Sequence, residues 1–168
     1  MDVEIRNERA ADVEAINAVT TAAFLTAPHT DHTEQFIVKA LRKTGKLTVS
    51  LVAEVEGTVV GHVAVSPVSL SDGSGGWYGL GPISVLPAYQ GQGIGSRLMT
   101  AALGALRERG AAGCVVLGEP GYYGRFGFRA QPGLVLADVP PEYFQAVSFG
   151  DAMPCGTVAY DEAFSARE

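Results

Sequence analysis

Two cysteines, three histidines and one tryptophan are all that this 168-residue chain holds of those residue types. Cys114 and Cys155 stand far apart, outside any CxxC pair and away from histidine, which speaks against a disulfide framework or a structural zinc site. His29 and His32 share a polar loop, but no further ligands accompany them, so no metal is expected. No apolar run approaches the roughly 20 residues that cross a bilayer. The opening MDVEIRNERAADVE interleaves charged and apolar residues too closely for a secretory signal, and a soluble cytoplasmic protein is expected. Basic residues are also scarce: 12 Lys and Arg stand against 18 Asp and Glu, a net charge of −6. They occur singly or in small groups such as Arg42, Lys43 and Lys46, so nucleic acid is not an expected partner, and the acidic field would instead draw cationic ligands.

What is present suffices for one core. At 47% hydrophobic residues the chain fits a single globular domain over residues 1–168. Val3 to Arg6 reads as a strand, followed by a helix carrying Val13, Ile16, Val19 and Ala23 at helical spacing. Glu8, Asp12 and Glu14 favour its positive end. Asp31-His32-Thr33-Glu34 resembles a capping box that opens a second helix with Phe36, Ile37, Ala40 and Leu41, ending at Gly45. Leu47 to Glu56 and Thr58 to Val68 alternate as a hairpin turned at Glu56-Gly57. After a polar loop, Trp77 to Leu86 forms a further strand, interrupted by Gly81-Pro82 where a bulge or splay is expected, with edge hydrogen bonds left free. Gly93 to Arg109 is a helix with Leu98, Ala102 and Ala105 on one face, stopped by Gly110. Cys114 to Leu117 is a short buried strand. The tail adds strands near Leu134 to Ala137 and Gly156 to Tyr160.

The stretch AYQGQGIGSRLM, Ala88 to Met99, sets Gly91, Gly93 and Gly95 on alternate positions just before that helix. A backbone without side chains lets successive amides converge on one space, and the helix start adds positive dipole, a combination that binds phosphate. A tight strand-to-helix connection needing only dihedral freedom is the alternative. A nucleoside triphosphate loop is dismissed because Ser96-Arg97, not Lys-Ser or Lys-Thr, follows the last glycine. The dinucleotide fingerprint is approached by Gly91-x-Gly93 with Ser96, and Glu119 stands at a later strand end. That unit needs parallel strands with crossover helices, whereas this loop follows a hairpin and a third consecutive strand.

Gln90-Gly91-Gln92-Gly93-Ile94-Gly95, preceded by GLGPISVLP, resembles the Q/R-x-x-G-x-G/A signature of the GCN5-related N-acetyltransferases (GNAT). The later YYGRFGF resembles their second segment, an aromatic run ending in Gly-Phe, and the order of elements agrees. The resemblance is specific from Trp77 to Phe128. It implies an α/β (α+β) acyl-CoA N-acyltransferase fold: a mixed, mostly antiparallel sheet flanked by helices and splayed at the fourth strand. It also implies acetyl-CoA as donor, no metal, and a primary amine of a small molecule or peptide as acceptor, with room for a homodimer. The pyrophosphate is then expected over Gly91, Gln92, Gly93, Ile94, Gly95 and Ser96, with Gln90 opening the signature, and the pantetheine arm along Ile83, Ser84 and Val85. Tyr123 occupies the position of the family's acid that protonates the departing thiolate, while Tyr122 packs or positions the thiol. Filling space beside the sheet is the other role open to both tyrosines. Arg125 is a candidate phosphate contact. The base is not fixed by spacing: Glu119 at the fifth strand's end leads, with Glu54 and His62 on the hairpin behind it. Acceptor choice is expected in the loop between the first two helices, in Ser69 to Gly76 and in the tail. The rival class is a non-catalytic acyl-CoA-binding module, which would keep Gln90 to Ser96 without depending on Tyr123.

Overall fold

The computed structural model describes residues 2–27 and 30–167, so His29 lies outside them. Strands β1 (Val3–Asn7), β2 (Val49–Val55), β3 (Thr58–Leu70), β4 (Trp77–Val85), β5 (Gly113–Leu117), β6 (Arg129–Ala130), β7 (Leu134–Val135), β8 (Phe144–Ser148) and β9 (Gly156–Tyr160) form one sheet. Its main order is β1-β2-β3-β4-β5-β8-β6, and β9 joins the far end of β3. All of these pairings are antiparallel except β4 with β5 and the short β7 with β9.

The helices α1 (Val13–Leu25), α2 (Glu34–Lys43), α3 (Ile94–Glu108) and the single turn α4 (Pro120–Tyr123) are placed by strand alternation. Leu51, Ala53, Val63 and Val65 point to one face, where Leu98, Met99, Ala102 and Leu106 of α3 cover them. The residues between, Val52 and Ala64, point to the other face and meet Ile16 of α1 and Val38 of α2. The apolar positions read for the three long helices are thus largely the ones that bury, and the Glu56-Gly57 turn closes β2 onto β3 with both φ angles positive, 49° and 82°.

Three local expectations change. Asp31 does not cap α2. The cap position is Thr33, without a side-chain bond, because the loop is instead closed by Thr30, whose Oγ1 accepts from the His32 amide at 2.9 Å and donates to Glu34 Oε2 at 2.6 Å. The tail strand near Leu134 to Ala137 shortens to Leu134–Val135. A full strand absent from the sequence reading, β8, runs antiparallel to β5 along its whole length, Gly113 opposite Ser148 and Leu117 opposite Phe144. Phe144, Gln145 and Ala146 are all buried, so the inside and outside alternation that marks a strand is missing there.

Candidate active site

The site begins with a mismatch in the sheet. Val63 opposes Ile83 and Val65 opposes Leu80, so Gly81 and Pro82 together face one residue of β3, the expected bulge. On its other side β4 pairs with β5 only from Trp77 to Gly79. Beyond Gly79 the two parallel strands part, leaving one edge of β4 open. The Leu86 amide donates to Val60 of β3 at 2.8 Å. Backbone groups alternate along a strand, so Ser84 turns its main chain to β3 as well, while Ile83 and Val85 turn theirs to the open edge. Of the three residues expected along the donor's arm, two therefore turn backbone groups to that edge, where the Val85 carbonyl already accepts from Gln90 Nε2. The Ser84 side chain is buried, and its Oγ has no partner among the described residues.

At one end of this edge lies a cavity of about 370 Å³ formed by Val85, Gln90, Gly91, Gly93, Ile94, Gly95, Ser96, Tyr122 and Arg125. Gly93 caps α3 with φ of 82°, and Gly91 has φ of 77°; both are left-handed conformations that other residues adopt only at a cost. A Cβ on either would meet nothing within 4 Å, so the bare backbone borders open space rather than a packed neighbour. The first-turn amides of α3, at Ile94, Gly95 and Ser96, have no acceptor inside the helix and carry its positive dipole end. Gln90 is a strut: its Nε2 donates to the Val85 carbonyl at 2.9 Å. Gln92 is exposed and reaches back to Ala88. Arg125 donates to Ser96 Oγ at 3.1 Å and lies 4.7 Å over the Tyr122 ring, which brings one cation to an otherwise uncharged mouth. Amide donors, an open glycine backbone and this guanidinium together fit a diphosphate.

At the other end, on the face covered by α1 and α2, lies a second cavity of about 360 Å³. Ile83 and Tyr123 belong to its wall, so the open edge of β4 leads from the first cavity to the second through the gap in the sheet. Tyr123 stands edge-on to Tyr122 at 5.0 Å and to Phe128 at 6.2 Å. Its burial, with a smaller contribution from Tyr122, pushes the phenol up to about 12, so it keeps its proton throughout the neutral range.

The family comparison follows the same residues. The model of the acetyltransferase (GNAT) family matches residues 13–128. The chain belongs to the GNAT acetyltransferases. The uncharacterized N-acetyltransferase YhbS of Escherichia coli K12 is 39% identical over 125 residues, 74% of this chain and 72% of its own. A crystal structure of YhbS in complex with CoA matches with a TM-score of 0.88 at 34% identity, covering 97% of this chain and 92% of that one. A GNAT family acetyltransferase from Brucella melitensis in complex with acetyl-CoA matches with a TM-score of 0.87 at 50% identity, covering 97% and 98%.

The remaining candidates separate clearly. Glu119 is exposed at the start of α4 and borders neither cavity. Glu54 accepts from Arg6 at 2.8 Å beside β1. His62 is fully buried beneath the α1 and α2 face, its Nε2 2.8 Å from Ser50 Oγ, which in turn bonds to Glu8. Burial depresses His62 to about 4, partly opposed by the charge of Glu8. His32 is exposed. Among the described residues, no helix is long and apolar enough to cross a membrane. The sequence reading missed Glu34 on the second cavity and Gly118 against Tyr123, the first because it resembled a helix start and the second because a lone glycine after a strand carries no chemical signal.

Proposed function

We propose that this GNAT enzyme acetylates a primary amine by direct attack on acetyl-CoA, with Tyr123 as the proton donor to sulfur. The observation that carries the reading is the open β4 edge at Ile83 and Val85, which joins a helix mouth suited to diphosphate with a cavity bordered by a protonated phenol. Gln90 to Ser96 and Arg125 hold the phosphates, and the backbone of Ile83 and Val85 aligns the pantetheine arm as an added strand does. A neutral amine nitrogen attacks the thioester carbonyl carbon. The C–N bond forms, the C–S bond breaks, and sulfur leaves with its electron pair and takes the Tyr123 proton. The proton lost by nitrogen restores the phenol through solvent. The same burial that raises the phenol also raises the basicity of a thiolate beside it, so the two stay matched for transfer.

In the test, purified protein, acetyl-CoA and a panel of amines are followed by thiol release and product mass. Tyr123→Phe is expected to lower kcat roughly 100-fold, the usual scale of a lost general acid. The acetyl-CoA Kd by calorimetry stays within about threefold, since the diphosphate mouth is untouched. An unchanged kcat would remove Tyr123 from the reaction.

A further inference from the structure

The second cavity carries one feature that donor binding does not use. Its wall is apolar and aromatic, with Phe24, Ile37, Leu136, Tyr160 and Phe164 gathered from α1, α2 and the tail, and among the described residues Glu34 of α2 brings the only carboxyl group to it. Tyr160 is half-buried and desolvation holds its phenol above the ordinary value, as it does that of Tyr123, so both tyrosines stay neutral. Glu34 is anchored on one side only. Thr30 donates to Oε2 at 2.6 Å, while Oε1 is closed to bulk water and has no hydrogen-bond partner among the described residues. A carboxylate oxygen covered and left without a donor is costly, and a fold that keeps one is short of a cationic or N–H partner. The cavity is where such a partner has room, and it also holds Tyr123 and Ile83.

Resting on the reading that amines are acetylated at this cleft, we propose that the second cavity is the acceptor site, that Glu34 binds the acceptor's ammonium, which releases one proton to solvent before the neutral nitrogen attacks, and that the acceptor is a monoamine on an apolar or aromatic body. A single carboxylate satisfies a single ammonium. A polyamine or aminoglycoside would set its further charges against Phe24, Ile37 and Phe164 with nothing to offset their desolvation. At about 360 Å³ the cavity is at the small end of small-molecule sites, roughly 300–1,000 Å³, which suits one ring or a short aliphatic chain. Thr30 is a positioning residue, since its bond to Oε2 fixes the plane of the carboxylate.

Phenethylamine, hexylamine, spermidine and a lysine-rich peptide are compared as acceptors for the whole chain, and phenethylamine binding to the protein–CoA complex is measured by calorimetry. Phenethylamine and hexylamine are expected to give the higher kcat/KM. Glu34→Gln raises KM for phenethylamine at least about tenfold, the usual loss for a charge-assisted bond, with the CoA Kd unchanged. The neutral isostere phenylethanol binds wild type and Glu34→Gln alike, a result that a merely structural role for Glu34 would not produce. If Glu34→Gln is too unstable to assay, Thr30→Val supplies the second test, with a smaller rise in the same KM. A preference for spermidine or the peptide, or an unmoved amine KM in Glu34→Gln, overturns this assignment and leaves acetyl transfer standing. Acetyl-CoA binding with no turnover of any amine overturns both readings, and failure to bind acetyl-CoA overturns the donor assignment itself.

Discussion

Replacing Gly118 by alanine is expected to disable the enzyme by displacing the Tyr123 ring. A Cβ built on Gly118 lies 2.5 Å from Tyr123 Cε2 and 3.3 Å from Cδ2, against an ordinary carbon contact of about 3.5–4.0 Å. Something must retreat by about 1 Å. It is not the backbone: the Gly118 amide donates to Tyr143 at 2.9 Å, and its carbonyl accepts from Gln145 Nε2 at 3.1 Å. With Tyr122 and Phe128 edge-on to the ring and opposing a turn about its own axis, it swings about the Cα–Cβ bond, and the phenol oxygen, farther out on that lever, moves at least as far. A displacement of about 1 Å at a reacting group costs roughly 100-fold, or about 2.7 kcal/mol of transition-state stabilisation. Overpacking costs a further 1–3 kcal/mol or so of stability, read by thermal melting. Steady-state kinetics should show kcat down about 100-fold and the acetyl-CoA Kd within about threefold, because the clash falls on Tyr123 and not on the glycine backbone or Arg125 of the α3 mouth. In a Tyr123→Phe background the same replacement should cost less than about threefold in kcat, since the proton donor is already gone. Equal losses in both backgrounds, or full activity of the single variant, would refute the coupling.

Other perturbations test separate parts of the molecule. Arg125→Gln should weaken acetyl-CoA about three- to tenfold, with the difference shrinking at high salt, as calorimetry at two ionic strengths would show. His62 is held at about 4 in the folded state against an unfolded value near 6.5, so the unfolded chain binds the extra proton. Stability should be full above pH 6.5 and fall by on the order of 3 kcal/mol as the pH drops to 4. Denaturant titrations should find that slope largely lost in His62→Gln. Asp12 is held at about 2, chiefly by the Arg6 hydrogen bond, and also accepts from the Arg9 amide at 2.6 Å. Asp12→Asn should cost about 2–3 kcal/mol at pH 7, and the deficit should close as the pH falls from about 4 toward 2, where wild type loses the same charge.

The parts of the fold that were legible are those whose burial has a period. α3 shows Leu98, Ala102 and Leu106 on one face, and β2 and β3 alternate between two covered faces, so their partners could be named from spacing. β8 has no such period. Its buried run Phe144–Ala146 packs against β5 by virtue of a partner nearly 30 residues earlier, and only the three-dimensional pairing reveals it. The capping-box reading failed for a related reason: Asp31 has the right chemistry, but Thr30 already bonds both the His32 amide and Glu34, and a side chain one residue upstream won the competition.

The site divides along the same line. Its donor half is built from contiguous backbone, Ile83 to Ser96, where the order of residues along the chain is also their order in space, so glycines and a proline announce what they do. Its acceptor half is assembled from six separated stretches, from Phe24 to Phe164, each of which reads alone as ordinary helix, strand or tail. This division has a physical basis. A diphosphate can be bound by amides that any sequence supplies once side chains are removed, whereas an amine on an apolar body needs side chains of particular kinds brought together by the sheet. The bulge at Gly81-Pro82 connects the two halves, because it parts β4 from β5 just where the apolar stretches converge. Changes that close this gap should therefore abolish transfer while leaving the diphosphate mouth able to bind.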